Sequence, residues 1–261
     1  MKTAIKLLAI TAIIAAIGFS FVTCDDGNTG GGGGTPHTHS YSATWSYNAT
    51  QHWHECSCGD KKDVANHNWN TDKGLCNSNC GALSYNLGDT GPGGGKIFYL
   101  SETGFTMSDD NSTAHYLEAA PADMTTTLAW ASSEFIPPMG EGYENGGTGD
   151  WTDITGTATG IGTGRKNTAL ILATDDNAPA AKACNDYSNG DKTDWFLPSK
   201  DELNQLYVNR TSVGNMGTSD YWSSSQGFNN TYALIQKFLD GNQPNCGKND
   251  TAISVRAVRA F

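Results

Sequence analysis

The sequence predicts an α+β fold over residues 84–261, preceded by a small His/Cys-stapled β module over 37–83. Three observations carry this. Helical spacing of apolar residues occupies the middle of 84–261, with short strand-like runs on either side. The run Ser199-Lys-Asp-Glu202 is a capping box and fixes the start of one helix. Residues 37–83 hold five of the six His and four of the seven Cys, so metal or disulfide chemistry replaces the apolar core that so short a segment lacks.

Taken in order, Lys2 and Lys6 precede an apolar stretch from Leu7 to Val22 that ends at Thr23-Cys24. A basic start and an apolar run before a small residue read as an export signal over 1–23. The run falls short of the ~20 residues that a spanning helix needs. Phe21-Val22-Thr23-Cys24 resembles the lipobox of bacterial lipoproteins, which implies lipid on Cys24 and a membrane anchor there. Phe21 stands where Leu is usual, and Thr23 where Ala or Gly is usual. The alternative is an ordinary secretory signal. Residues 24–36, with Gly30 to Gly34, read as a flexible tether. The chain is therefore expected in the bacterial cell envelope, outside the cytoplasm and exposed at the surface.

Composition agrees. Hydrophobic residues make up 37% and charged residues 16%, against roughly 45–50% and about 25% in average chains. Gly, Asn, Ser and Thr fill the gap, which suits a loop-rich exported domain better than a helical cytosolic enzyme. From Cys24 onward 14 basic residues face 27 acidic ones, a net charge of −13. Such a surface repels polyanions, so no nucleic-acid partner is expected.

Within 37–83 a rough repeat recurs after 28 residues: His39-Ser-Tyr41 leads to Cys56-Ser-Cys58-Gly59, and His67-Asn-Trp69 leads to Cys76 and Cys80-Gly81. In an extended strand His52, His54, Cys56 and Cys58 fall on one face. Two readings stand side by side. Cys56, Cys58, Cys76 and Cys80, or a set with His in place of one Cys, could form a tetrahedral zinc site; or they form two disulfides, as an oxidising exterior favours. Either is a structural staple, and no cofactor is expected for function.

In 84–261, Gly88 to Gly95 is a turn-rich entry to a strand over Lys96–Leu100. It lacks the Gly-Lys-Ser/Thr ending of a phosphate loop. A second extended run covers Ala114–Ala120, and 134–164 reads mostly as loop. Helices are expected over Arg165–Thr174, Ala178–Tyr187 and Lys200–Val208. Strands follow at Tyr221–Ser223, Tyr232–Phe238 and Ile253–Val258.

Gly88-Asp-Thr-Gly-Pro-Gly-Gly-Gly-Lys-Ile-Phe-Tyr99, Ala180-Ala-Lys-Ala-Cys184, Asp194-Trp-Phe-Leu-Pro-Ser-Lys-Asp-Glu-Leu203, Tyr221-Trp-Ser-Ser-Ser225 and Val255-Arg-Ala-Val-Arg-Ala-Phe261 stand in the order seen in DUF1566 domains. The segment 84–261 resembles that family, which is similar to the C-terminal domain of a Legionella collagen-like adhesin. The resemblance implies a C-type lectin-like fold of the formylglycine-generating-enzyme type, with ligands met by late loops and strands. Trp195, Phe196, Leu197 and Trp222 read as core. Arg256 and Arg259 read as partners of acids such as Asp194 or Glu202.

Residues 228–253 are Asn-rich and polar between two strands. One reading is a plain hairpin turning at Asp240-Gly241. The other is a displayed face of Asn229, Asn230, Tyr232, Ile235, Asn242, Gln243, Asn245, Cys246, Lys248, Asn249 and Asp250, with an unidentified protein or glycan as ligand. Some relatives resemble targets of diversity-generating retroelements, which randomise the adenines of Asn codons. Many residue types in this stretch are ones such substitution yields. A Cys184–Cys246 disulfide is expected from the export compartment. The leading functional expectation is a non-catalytic ligand-binding or adhesin domain. Alternatives are a structural envelope component, or an oxidase of the formylglycine-generating type that would need Cys184 and Cys246 as reactive thiols.

Overall fold

A computed structural model describes residues 38–133 and 153–261; the expected export signal, Cys24, the expected tether and residues 134–152 lie outside the described residues. Two compact units divide the chain, the first ending at Asn66 and the second starting at His67. The division falls between the two copies of the repeat, inside the expected 37–83 module.

The first unit is an antiparallel sheet of β1 (Tyr41–Tyr47), β2 (Gln51–Cys56) and β3 (Lys61–Asn66), in that order. Asn48 closes the β1–β2 turn by accepting from the backbone N–H groups of Thr50 and Gln51 at 2.9 and 2.8 Å. Every residue of β3 is exposed, and Trp53 is the only large apolar side chain buried among the unit's described residues. The Lys61 ammonium covers its ring at 3.6 Å.

The second unit opens with the short pair β4 (Trp69–Asn70) and β5 (Leu75–Cys76), so the second repeat copy folds with the residues that follow it. Gly74 shows why. Its φ is +64°, and an added Cβ would come within 2.6 Å of the Tyr116 ring. Tyr116 in turn donates its hydroxyl to the Gly74 carbonyl at 3.0 Å. Next come β6 (Lys96–Thr106) and β7 (Thr113–Ala119), which with β11 (Val258–Ala260) make an antiparallel sheet ordered β11-β7-β6.

The Gly-rich entry is an anion cradle filled by the protein's own carboxylate. Gly93 and Gly95 donate backbone N–H groups to the buried Glu118 on β7 at 3.1 and 2.6 Å. A Cβ on Gly91 would press to 2.6 Å from the Glu118 carboxyl carbon, so the loop's close approach requires glycine. Arg259 neutralises Glu118 at 3.1 Å and grips Asp194 through two further bonds at 2.8 and 3.0 Å. Arg259 thus pairs with Asp194 as expected. Arg256 instead pairs with Asp123 at 2.6 Å, not with Glu202.

Glu202 has another task. It belongs to the capping box of α3 (Lys200–Val208), accepting from the Ser199 N–H at 2.7 Å while the Ser199 hydroxyl accepts from Glu202. The other helices are α1 (Gly164–Thr174), α2 (Pro179–Asn185) and the single turn α4 (Arg210–Val213). A second antiparallel sheet, ordered β10-β9-β8, joins β8 (Asp220–Gln226), β9 (Tyr232–Lys237) and β10 (Asn245–Gly247).

Two apolar clusters hold these layers. Trp130, Ile171, Trp195, Leu197, Trp222, Ile235 and Val255 share one; Phe98, Leu117, Phe196, Leu203, Leu206, Tyr221 and Val258 share the other. The extended motifs serve both at once, since successive side chains point to opposite faces: Trp195 and Leu197 enter the first cluster and Phe196 the second. Full burial of each such side chain stabilises by roughly 1.5–3 kcal/mol. Short helices with several antiparallel sheets confirm the α+β class. The strand expected over Ile253–Val258 is displaced, since β11 covers Val258–Ala260 and shares only Val258 with it. Over Ile253–Ala257 the carbonyls of Ile253, Val255 and Ala257 accept from Leu128, Met124 and Ala120, so an irregular segment takes the place of a neighbouring strand.

Candidate functional site

Polar residues between β8 and the end of the chain gather on the β9–β10 hairpin. Asn245, Cys246 and Gly247 lie opposite Leu234, Ala233 and Tyr232. The hairpin turns over Phe238–Gly241, where Gly241 takes a φ of +84° and Asp240 accepts from the Asn242 backbone at 3.0 Å. That bond, and a second from the Asn242 amide, hold the Asp240 carboxyl below its ordinary range. At the other end, the Phe228 N–H donates to Asn245 Oδ1 at 3.1 Å. The Phe228 ring is 73% exposed and stacks on Tyr232 at 5.0 Å. Leu239 is 75% exposed beside the turn. Lys237, Asn242, Gln243 and Pro244 line an open depression of about 360 Å³.

Of the residues expected to meet a ligand, Asn229, Asn242 and Asn245 are exposed, while Asn230, Tyr232, Gln243, Cys246, Asn249 and Asp250 are half-buried. Two expectations are corrected. Ile235 follows Ala233 inward, because alternation along β9 sends both to the core. Lys248 is also buried: its ammonium lies 4.5 Å from the Trp130 ring centre and donates to Gln226 Oε1 at 2.8 Å. Burial pushes it down to about 8. Phe228 and Leu239 were missed; both lie in the polar stretch, and their apolar character among Asn residues was the available signal.

The expected Cys184–Cys246 disulfide is not formed, and all six described cysteines carry thiols. Cys184 is sealed on α2, where burial drives its thiol far up. Burial, and then the Asp250 carboxylate, push Cys246 up to about 11. Neither offers a thiolate near neutral pH. His115 is engaged as well, donating from Nδ1 to the Ser101 carbonyl at 2.9 Å.

The cysteines of the repeat are arranged differently from the expected four-Cys site. The strand β2 stops at Cys56, which leaves Cys58 in the following turn. His52 and His54 flank the Trp45 ring at 4.6 and 3.9 Å. Cys56 and Cys58 gather with His39, and Cys76 and Cys80 with His67, donor atoms in each set lying within 4.8 Å of one another. Both clusters could hold a metal ion. The sequence allowed a His in place of one Cys without assigning it; His39 and His67, which open the two repeat copies, lie with the cysteines, and that position was the signal.

A family model for the Lcl C-terminal domain matches residues 120–259. The chain belongs to this family. Comparison with curated proteins gives no match. The matched part of the Lcl C-terminal domain includes α1 to α4, β8 to β10 and the first two residues of β11, and so the whole hairpin. Its partner strands β6 and β7 precede the matched residues, yet they complete the sheet that β11 enters. Among the described residues no helix is long and apolar enough to cross a membrane.

Proposed function

We propose that this chain presents its Lcl C-terminal domain as a non-catalytic ligand-binding module at the bacterial cell surface, held by lipid on Cys24 through the Gly-rich tether. The observation that carries the reading is the contrast along the hairpin. Ala233 and Ile235 anchor it in the core, while Phe228, Asn229, Asn242 and Asn245 stand exposed on the same hairpin. An exposed aromatic ring beside amides suits both sugar faces and protein surfaces, since it offers apolar area at low entropic cost next to hydrogen-bonding groups. The lectin-like fold implied by the sequence motifs supports the same use. With a net charge of −13 beyond residue 23, the ligand is neutral or cationic, not a sulfated polymer. The protonated Cys184 and Cys246 support a binding module over an oxidase. In this reading function needs no cofactor, and variation of the exposed Asn positions would alter ligand choice without touching the core.

A glycan and protein array probed with the full chain tests this. A ligand whose binding falls at least about tenfold, or ~1.4 kcal/mol, on Phe228→Ala, Asn229→Ala or Asn245→Ala is the expected result. A ligand indifferent to all three substitutions would place recognition elsewhere.

A further inference from the structure

The two repeat copies fold into different compact units yet place the same donors in the same way. His39 Nδ1 lies 3.2 Å from Cys58 Sγ, with Cys56 alongside. His67 Nδ1 lies 3.4 Å from Cys76 Sγ and 3.5 Å from Cys80 Sγ. Each ring rests on the aromatic residue two places on: His39 on Tyr41 at 5.8 Å, His67 on Trp69 at 4.6 Å. Each second cysteine precedes a left-handed glycine, Gly59 at φ +88° and Gly81 at φ +85°. The likeness extends beyond sequence to the backbone conformation that aims the sulfurs.

Hydrogen bonding alone does not account for this geometry. One imidazole nitrogen carries either a proton or a lone pair, so it makes one good hydrogen bond. His67 Nδ1 nevertheless faces two sulfurs. Zinc bonded tetrahedrally at its usual lengths to nitrogen and sulfur sets an N···S edge of about 3.6 Å. Both His67 distances fall within about 0.2 Å of that edge, and the 3.2 Å from His39 to Cys58 is somewhat shorter. We propose that the chain binds two zinc ions, one at His39, Cys56 and Cys58 and one at His67, Cys76 and Cys80.

Each triad supplies three of the four positions zinc uses. A cavity of about 180 Å³, lined by Leu75, Cys76, Asn79, Gly81, Ala82 and His115, borders the second site at Cys76. Each ion ties a His to Cys residues distant in sequence within a copy too small to bury a core.

Titrating the reduced, metal-free full chain with Co²⁺ and then Zn²⁺ tests the proposal. The expected result is a thiolate-to-cobalt absorption band that grows to two equivalents and is bleached by zinc. Cys56→Ser with Cys58→Ser should leave one equivalent, Cys76→Ser with Cys80→Ser the other, and all four changes none. The unsubstituted spectrum decides the question even if a variant fails to fold. One equivalent abolished by either pair of changes would mean a shared four-Cys site and overturn the proposal. So would the absence of a thiolate band, or a protein isolated with these cysteines already joined as disulfides.

Discussion

The β9–β10 hairpin and the strip Val255–Phe261 stand close in sequence and could hardly be held more differently. The strip buries Val255, Arg256, Ala257, Val258, Arg259 and Ala260, and both arginines reach acids far back in the chain. The hairpin turns Ala233, Ile235 and Gln236 of β9 inward, closes its ends with local Asx turns, and leaves Asn229, Asn242 and Asn245 exposed. Stability is thus concentrated in one segment and displayed chemistry in the other. A domain so divided tolerates change on its face because little of its free energy resides there.

The sharpest way to break this contrast is Arg259→Ala. It leaves Glu118 charged and buried among backbone N–H donors with no cation, and should lower stability by about 3–5 kcal/mol in urea unfolding. A loss under about 1 kcal/mol would show that the glycine amides alone hold the carboxylate.

A smaller effect belongs to Glu202. Burial pushes its carboxyl up to about 7, against backbone donors at Ser199, Gly162 and Gly164. Because the folded value lies above the ordinary 4.5, the folded state holds this proton more tightly. Its contribution is complete below the unfolded value and is lost as pH rises through 7. Acidification from above 7 toward 4.5 should therefore add roughly 1–3 kcal/mol from this group. Glu202→Gln should flatten the pH slope of the melting temperature, and an unaltered slope would refute the assignment.

The smallest effect is expected on the hairpin. Phe228→Ala and Asn229→Ala should each change stability by no more than about 0.5 kcal/mol. A cost above about 2 kcal/mol would make the loop part of the scaffold and remove the contrast.

Much of the scaffold was legible from residue patterns. The capping box predicted α3 at the residues where it forms, because its signal is local and chemical. The tandem Trp195-Phe196-Leu197 announced core, since no other environment suits three such neighbours. The edge of the candidate site was less legible. Ile235 carried a period-two signal that alternation with Ala233 would have decoded. Lys248 carried none, because its burial depends on Trp130 and Gln226, which lie far away in sequence. The metal clusters fall between these cases. Reading β2 as a strand that runs on through Cys58 aligned His52 and His54 with Cys56 and Cys58, but β2 ends at Cys56 and both histidines flank Trp45. The repeat itself, which opens each copy with His, named the third donor.

The reach of Arg259 bears on how the molecule is made. Its link to Glu118 spans 141 positions, and the link from Arg256 to Asp123 spans 133. A polypeptide emerging amino end first leaves both acids without their cations until more than 130 further residues have followed, so these two pairings are late, long-range events in the making of the domain.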